Sequence, residues 1–247
     1  MTSLKEKIKS FPLLGHLFRF AGQLRWKWHV RRVDPLRRLR RILAGQQNLS
    51  VVQIGSNDGR THDPVFSLLE THPTWSALLV EPVPHLFERL KQNYANRPNV
   101  RFENAAIAED SGTRPFFVIS PEAKDALLDI PAWSDQLGSF DRNHIIKHLG
   151  PSISPHVREI TIPTLRLATL LDRHQITRID LLHIDTEGFD WRILSQLDLG
   201  TFRPKVILFE FKHLTEAEQA SAVTRLQSLY CLSHLDVTGD LLCELKR

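Results

Sequence analysis

The stretch VVQIGSNDGRTHDP, Val51–Pro64, joins a short apolar run to a polar, glycine-containing turn. The β-branched start, continued to Ile54, predicts a buried strand, and the apolar helical pattern that resumes at Val65 predicts a helix directly after the turn. Gly55 and Gly59 permit positive φ and a close approach of the backbone, and the N–H groups of the turn and of the helix N-terminus can bind a carboxylate or another anion. The stretch therefore predicts a strand, a binding loop and a helix in succession.

From residue 50 onward, short apolar segments alternate with helical patterns. This alternation is typical of a doubly wound α/β fold, in which helices cover both faces of a mostly parallel sheet. The predicted strands are 51–54, 77–80, 100–106, 179–184 and 206–211, and the predicted helices are 64–71, 84–94, 165–174 and 191–197.

The composition of the chain limits its class. With 247 residues, of which 42% are hydrophobic, the chain can bury one substantial core and is not compositionally disordered. Cys231 and Cys243 are the only cysteines, too few for a disulfide framework. We therefore expect a reducing compartment and assign the protein to the cytoplasm.

The basic character of the chain belongs to its N-terminal segment. Residues 1–45 contain 12 Lys or Arg and two acidic residues, whereas the rest contains 20 basic and 26 acidic residues. Apolar residues at helical spacing predict a basic amphipathic extension over 1–45, followed by a domain over 46–247. The extension either packs on the domain or makes a peripheral contact with the inner face of a membrane. Nucleic-acid binding is less favoured because the segment carries no known reading motif.

In a doubly wound sheet, ligands bind outside the carboxyl ends of the strands. Here the strand ends carry Gly55–Gly59, Glu81, Asp185–Gly188 and Glu210–His213. Glu81 is placed to accept both hydroxyl groups of a ribose. The G-x-x-x-G spacing is not the dinucleotide fingerprint, which argues against a nicotinamide dehydrogenase and favours a nucleoside cofactor without a pyrophosphate.

Five segments together resemble, in order, the motifs of the FkbM-type S-adenosylmethionine-dependent methyltransferases. They are VVQIGSNDG, LLVEPVPHLFERLKQNY, VRFENAAIAEDSG, IDLLHIDTEGFDWRIL and PKVILFEFKHL. The resemblance implies a class I methyltransferase (Rossmann-like) fold, with a seven-stranded sheet whose last strand is antiparallel. It also implies methyl transfer, usually to a hydroxyl oxygen, often on a sugar or another secondary metabolite.

The resemblance also implies where S-adenosyl-L-methionine binds. Gly55 and Gly59 would line its methionine part, Glu81 would hold its ribose, and residues 104–110 would lie by its adenine. Gln53 stands where the family usually has an acidic residue, so an amide would lie near the cofactor amine. The full set expected at the cofactor is Gln53, Gly55, Ser56, Asn57, Asp58, Gly59, Glu81, Pro82, Asn104, Ala105, Ala106 and Asp185.

Catalysis is expected to need little from the protein, because the sulfonium is already activated. Positioning, desolvation and removal of the proton of an acceptor hydroxyl remain. Asp185 and Glu187 are the best candidates near the transferred methyl, and Glu187 has an alternative role as the cap of the next helix. His183 has a near-neutral unperturbed pKa, but a His inside an apolar strand is more often a hydrogen-bonded core residue, and the family commonly has Lys there.

Further polar residues could contact a metal or the acceptor. Asp185, Glu210 and His213 fall at neighbouring strand ends, where they could hold Mg²⁺. His144 and His148 form an i, i+4 pair on a predicted helix. Because the motif contains no third ligand, we expect this pair to face solvent or substrate rather than to bind zinc. The candidate substrate residues are His144, His148, Glu210 and His213.

Residues 118–163 do not fit the alternation of strands and helices, and they contain five prolines. This segment is either a substrate-side insertion that covers the acceptor or a packed structural excursion. The sequence as a whole predicts a methyltransferase, acting on a sugar hydroxyl of a glycan, a glycolipid or a secondary metabolite near the membrane. The alternative is a non-catalytic interaction module, in which the basic N-terminal helix contacts a membrane or a nucleic acid.

Overall fold

The structure, a computed structural model, describes residues 34–247 except residues 128, 132, 236 and 237. Residues 1–33, most of the predicted basic extension, lie outside the described residues, so its contact with a membrane stays a prediction. Within the described part of the chain, no helix is long and apolar enough to cross a membrane.

Strands and helices alternate along the chain, with short 3-10 helices at Ser134–Gln136 and Pro151–His156. The strands are β1 (Ser50–Ile54), β2 (Ser76–Val80), β3 (Val100–Glu103), β4 (Ala106–Ile107), β5 (Gly112–Ile119), β6 (Gly138–Ser139), β7 (Val157–Leu165), β8 (Leu181–Ile184), β9 (Val206–Glu210), β10 (Tyr230–Leu235) and β11 (Asp240–Leu245). The helices are α1 (Pro35–Ile42), α2 (Pro64–Thr71), α3 (Pro84–Asn93), α4 (Ala123–Ala126), α5 (Arg142–Leu149), α6 (Leu167–Arg173), α7 (Asp190–Leu194) and α8 (Glu216–Leu226).

The main sheet has seven strands in the order β10-β11-β9-β8-β1-β2-β3. The strands are parallel except β11, which is antiparallel to both of its neighbours. In the centre, Val51 of β1 pairs with Leu181 of β8 on one side and with Ala77 of β2 on the other. The doubly wound sheet with its last strand antiparallel is therefore confirmed, and β1 and β8 form its middle.

Burial on both faces explains the apolar runs of the central strands. Every residue of β8 and β9 is buried, as expected where helices cover both faces of a parallel sheet. Alternate residues point to opposite sides: Leu182 packs in one apolar cluster, and its neighbour Leu181 packs in the other. Trp75, fully buried, donates from Nε1 to the carbonyl oxygen of Gln46.

Local signals explain which boundaries the sequence predicts well. Helix α2 has the predicted bounds because the Asp63 side chain accepts from the Val65 N–H at 2.7 Å and Pro64 occupies the first turn. The predicted strand 100–106 begins correctly but ends too late, because the chain leaves the main sheet after β3, at Glu103. At this point the Asn104 side chain donates to the carbonyl oxygens of Glu81 (2.8 Å) and Pro82 (3.1 Å), which fixes a turn.

Residues 106–165 build a second sheet, in the order β4-β7-β5-β6. Its long strands β5 and β7 are antiparallel. Phe116 packs with Val83 and Leu86 at the start of α3, while Leu137 and Ile145 belong to an apolar cluster within the segment. The segment that departs from the strand and helix alternation is therefore a folded layer that packs beside the carboxyl edge of the main sheet.

Candidate active site

A cleft opens at the carboxyl ends of β1, β2 and β8. This position is where doubly wound folds bind ligands. The second sheet closes one side of the cleft. The main sheet and its loops contribute Ile54, Gly55, Asn57, Glu81, Pro82, Val83, Asp185, Thr186 and Glu187, and the second layer contributes Ala106, Ile107, Phe116, Gln136, Gly138 and Phe140; Ala105, Phe189 and Ile193 complete the lining.

Gly55 is the point at which the loops after β1 and β8 come closest. Its φ is +80°, and a Cβ at this position would lie 1.8 Å from the carbonyl oxygen of Asp185. The Asp185 N–H donates to the Ile54 carbonyl oxygen at 2.9 Å, which holds the two strand ends together. Only glycine fits here without displacing the loop that carries Asp185.

Glu81 is a buried carboxyl group held in one orientation. Its Oε2 accepts from the Asn57 N–H and its Oε1 from the Val83 N–H, both at 2.8 Å. Burial raises its pKa to about 7, although the two N–H groups favour the charged form. A carboxylate oxygen has more than one lone pair, so each oxygen can still accept from a hydroxyl group in the cleft.

The rest of the loop after β1 is held by its own side chains. Asp58 accepts from the N–H groups of Arg60 (2.9 Å) and Thr61 (2.8 Å). Gly59 has φ +67°, and a Cβ there would lie 2.2 Å from Leu90 of α3. Asp58 and Gly59 thus fix the shape of the loop and do not line the cleft.

The structure divides the expected cofactor residues into three groups. Most of them line the cleft: Gly55, Asn57, Glu81, Pro82, Ala105, Ala106 and Asp185. Gln53 and Ser56 line an adjoining hollow. Asp58, Gly59 and Asn104 support the loops around the cleft.

The adjoining hollow is more polar than the cleft and shares part of its wall. Asp185 and Glu187 line both spaces. Trp133 stands at the wall of the hollow with 37% of its surface exposed. The other side chains that line the hollow are Thr61, His62, Asp63, Leu137, His183 and Lys212, together with Gln53, Ser56, Asn57, Pro64 and Gln136.

His183 is a buried neutral histidine. It lies on β8 beside Gln53 of β1, and its Nδ1 has no hydrogen-bond partner among the described residues. Burial lowers its pKa to about 4. The ring is therefore uncharged near pH 7, and it is a weak base.

Asp185 is the carboxyl group best placed between the cleft and the hollow. Burial, and then the negative charges of Glu210 and Glu187, raise its pKa well above the usual range of an aspartate. Asp185 is half-buried, whereas Glu210 is buried. Burial raises the pKa of Glu210 to about 7, and Lys212 lies 2.9 Å from its Oε1. Perturbed carboxyl groups in a cleft are typical of catalytic sites.

Asp190 is a residue of this edge that the sequence analysis missed. It is fully buried, and it accepts from the Thr186 hydroxyl (3.0 Å) and from the Glu210 N–H (3.3 Å). It thereby joins the loop after β8 to the end of β9. The signal was the acidic residue at the first position of helix α7, in the segment DTEGFDW.

Glu187 does not cap the following helix, whose N-cap is Phe189. Its side chain instead accepts from Nε2 of His144 at 3.1 Å, and its backbone has φ +55°. The side chain of Glu187 lies close to those of His144, His148 and His213. Of the expected metal residues, Asp185 and Glu210 lie close to Glu187 as a second possible set of ligands, and His213 lies 3.4 Å from Glu210 without belonging to that set.

The sequence profile of the methyltransferase FkbM domain matches residues 53–236, well over half of the chain. The chain belongs to the FkbM methyltransferase family. This is a family of S-adenosylmethionine-dependent enzymes, so membership implies this cofactor. No match is found among curated proteins.

Two solved structures similar to this FkbM methyltransferase are described as methyltransferases. One, a methyltransferase from Geobacter sulfurreducens, is 10% identical, with 96% of this chain and 90% of that chain covered and a TM-score of 0.47. Another, precorrin-6y C5,15-methyltransferase from Geobacter metallireducens GS-15, is 12% identical, with 86% and 87% covered and a TM-score of 0.43. Likeness at this level says nothing of the substrate.

Substitution of Gly55 tests the contact between the two loops. Gly55→Ala should lower the free energy of unfolding by about 2 to 5 kcal/mol, because left-handed backbone strain and overpacking add. Gly45→Ala is the matched control: φ is +73° but nothing lies within 4 Å of the added Cβ, so about 1 to 2 kcal/mol is expected. Urea unfolding monitored by circular dichroism measures both; equal losses would contradict the predicted clash.

Proposed function

We propose that this FkbM methyltransferase transfers a methyl group from S-adenosylmethionine in the cleft to a sugar hydroxyl in the adjoining hollow. The acceptor class is a glycan, a glycolipid or a sugar-bearing secondary metabolite. The observation that supports this acceptor is the exposed ring of Trp133 among polar side chains. A sugar presents C–H groups on one face and hydroxyl groups at its rim, so such a wall suits it.

The residues of the cleft fit S-adenosylmethionine. Glu81 would accept from the two ribose hydroxyls, since both of its oxygens are already oriented by N–H groups. Gly55 lines the cleft, where the methionine part would lie beside the main chain, and Ala105 and Phe116 offer apolar surface to the adenine. When bound, the cofactor supplies an activated methyl group on a sulfonium. The protein then has to orient the acceptor, exclude water and receive one proton.

Asp185 is the proposed proton acceptor, because its side chain lines both the cleft and the hollow. His183, a weak base inside the sheet, is instead proposed to help shape the hollow. Asp190 keeps the loop of Asp185 attached to β9 and is a positioning residue. The cytoplasmic location and the membrane contact through residues 1–45 remain predictions.

Replacement of one carboxyl group tests the cofactor site. Glu81→Gln should weaken the binding of S-adenosylmethionine and S-adenosylhomocysteine by about 10- to 100-fold, because a hydrogen bond to a charged group contributes about 1.5 to 3 kcal/mol. Calorimetric titration measures the affinity. Glu103→Gln is the matched control, because Glu103 ends the next strand but pairs with Arg173 and His174 outside the cleft. If both substitutions weaken binding alike, or neither does, Glu81 does not hold the ribose.

Cofactor affinity should depend on pH through Glu81. Its pKa of about 7 lies above that of an ordinary glutamate, so the carboxylate that accepts both hydroxyls forms as the pH rises through 7. If only the charged form binds well, affinity at pH 6 should be about tenfold lower than at pH 8. Calorimetry across this range checks the change, and Glu81→Gln should flatten it. The same slope in the variant would assign the dependence to another group.

The acceptor proposal is tested by transfer of labelled methyl from S-adenosylmethionine to a panel of free and lipid-linked saccharides. For a saccharide that is methylated, Trp133→Ala should raise the acceptor KM about three- to tenfold, because an aromatic contact is lost, and leave the cofactor affinity unchanged. Trp133→Phe keeps a ring and should retain most of the affinity. Cofactor binding with no saccharide methylated would overturn the acceptor class alone, whereas no cofactor binding would favour an interaction module.

A further inference from the structure

Four side chains with metal-binding atoms converge at the edge of the active site, and we name them the histidine cluster: His144, His148, Glu187 and His213. His144 and His148 project from α5 of the second layer, Glu187 follows β8 and His213 follows β9. The three imidazole rings lie 4.9 to 5.2 Å apart, centroid to centroid. One candidate ligand atom from each residue falls within 4.8 Å of all the others.

We propose that the histidine cluster binds one Zn²⁺ ion through three imidazole nitrogens and the Glu187 carboxylate. Zinc in proteins is bound tetrahedrally by such ligands at about 2.0 to 2.2 Å, which sets the ligand atoms about 3.3 to 3.5 Å apart. The distances from Oε2 of Glu187 to Nε2 of His144 (3.1 Å) and to Nε2 of His213 (3.8 Å) lie on either side of this value. Small side-chain movements would complete the site.

The local backbone presents these ligands. An i, i+4 spacing places His144 and His148 on one face of a helix. Glu187 has φ +55° and is followed by Gly188 at φ +96°. A Cβ on Gly188 would stand 3.8 Å from Cβ of His213 and 4.0 Å from Cε1 of His144, so the chain runs along the histidines. A glutamate in the left-handed region is uncommon and costs energy, which the surrounding structure must offset.

His213 carries an unsatisfied nitrogen within the cluster. Its Nε2 is buried and makes no hydrogen bond among the described residues, although Oε1 of Glu210 lies 3.4 Å away. Buried polar atoms are normally paired, and an unpaired one calls for a missing partner such as an ion. Zn²⁺ would supply that partner and would replace the hydrogen bond between His144 and Glu187.

The charges and ligand types favour zinc over magnesium. Lys212 lies beside the cluster, but it pairs with Glu210 at 2.9 Å, so its positive charge is offset. Lys147 lines a surface hollow together with the three histidines of the cluster. Three nitrogen ligands suit Zn²⁺, whereas Mg²⁺ prefers six oxygens. A four-ligand site is of the closed, structural type. It would fasten α5 to the ends of β8 and β9, and through the ring contact of His148 with Trp133 it would steady the wall of the hollow.

The test uses the full chain after treatment with a chelator. Zn²⁺ is titrated against a chromophoric chelator, and Co²⁺ is added separately as a spectroscopic probe. We expect one ion per chain, the intense visible absorption of four-coordinate Co²⁺, a raised Tm with Zn²⁺, and no displacement by millimolar Mg²⁺. His144→Ala and the surface substitution His148→Ala should each weaken Zn²⁺ binding at least about 100-fold, since the loss of groups outside the ligand shell alone costs 10- to 100-fold.

His156→Ala is the matched control, because His156 belongs to the same layer but not to the cluster. It should leave Zn²⁺ binding unchanged. The proposal is overturned if Zn²⁺ does not bind stoichiometrically, if Co²⁺ shows only the weak absorption of a six-coordinate ion, or if His148→Ala and His156→Ala bind alike. Because His148 is exposed, its substitution does not disturb the core. Titration of the same samples with S-adenosylmethionine separates this outcome from a failure of the proposed cofactor site.

Discussion

Carboxyl groups buried at one edge of a parallel sheet are the constraint on which this structure depends. Glu81, Asp185, Asp190 and Glu210 all lie at the carboxyl edge, where burial raises the pKa of each. A buried carboxyl group must be hydrogen-bonded or protonated, since an unpaired charge in a protein interior is very costly. At two of these groups main-chain N–H groups meet this requirement: those of Asn57 and Val83 donate to Glu81, and that of Glu210 donates to Asp190. Hydrogen bonds to these carboxyl groups thus help to fix the conformation of the loops at this edge.

The same constraint connects the cleft to the adjoining hollow. Because Gly55 has no side chain, the loops after β1 and β8 approach until Asp185 lies between the two spaces. One space is walled by apolar side chains and by Glu81, while the other has a polar wall. In the proposed reaction, the cofactor in one space and the acceptor in the other would both lie beside Asp185, as a methyl transfer with proton removal requires.

The sequence predicted the main sheet better than the second layer, for physical reasons. Strands buried on both faces are continuous apolar runs, so β1, β2, β8 and β9 are visible without a structure. The second layer contains Pro115 and Pro163 inside its long strands, and proline argues against a strand. These prolines are tolerated because the flanking strands are two residues long: β6 pairs with Phe117 and Val118, and β4 pairs with Thr164 and Leu165.

At the candidate site, the sequence identified individual residues but not the side chains that they contact. Glu81 and Asp185 were identifiable because each directly follows a predicted strand, at the edge where doubly wound sheets bind ligands. The helix pair His144 and His148 was also visible, but nothing in its spacing placed it against Glu187, since its position depends on how the second layer folds back. Helix α8 was missed although Thr215 and Glu218 form a capping box, a local signal that could have revealed it.

The second layer therefore has two physical roles that its sequence does not separate. Phe116 and Phe140 give one side of the cleft an apolar lining. Helix α5 brings two histidines to loops that follow strands of the main sheet. The second layer therefore contacts the main sheet through polar groups at one end and through apolar groups at the other. Apolar contact alone would allow this layer to shift, because it is non-directional. A directional hydrogen bond between His144 and Glu187, or bonds through an ion, would hold this layer in register with the loop of Asp185.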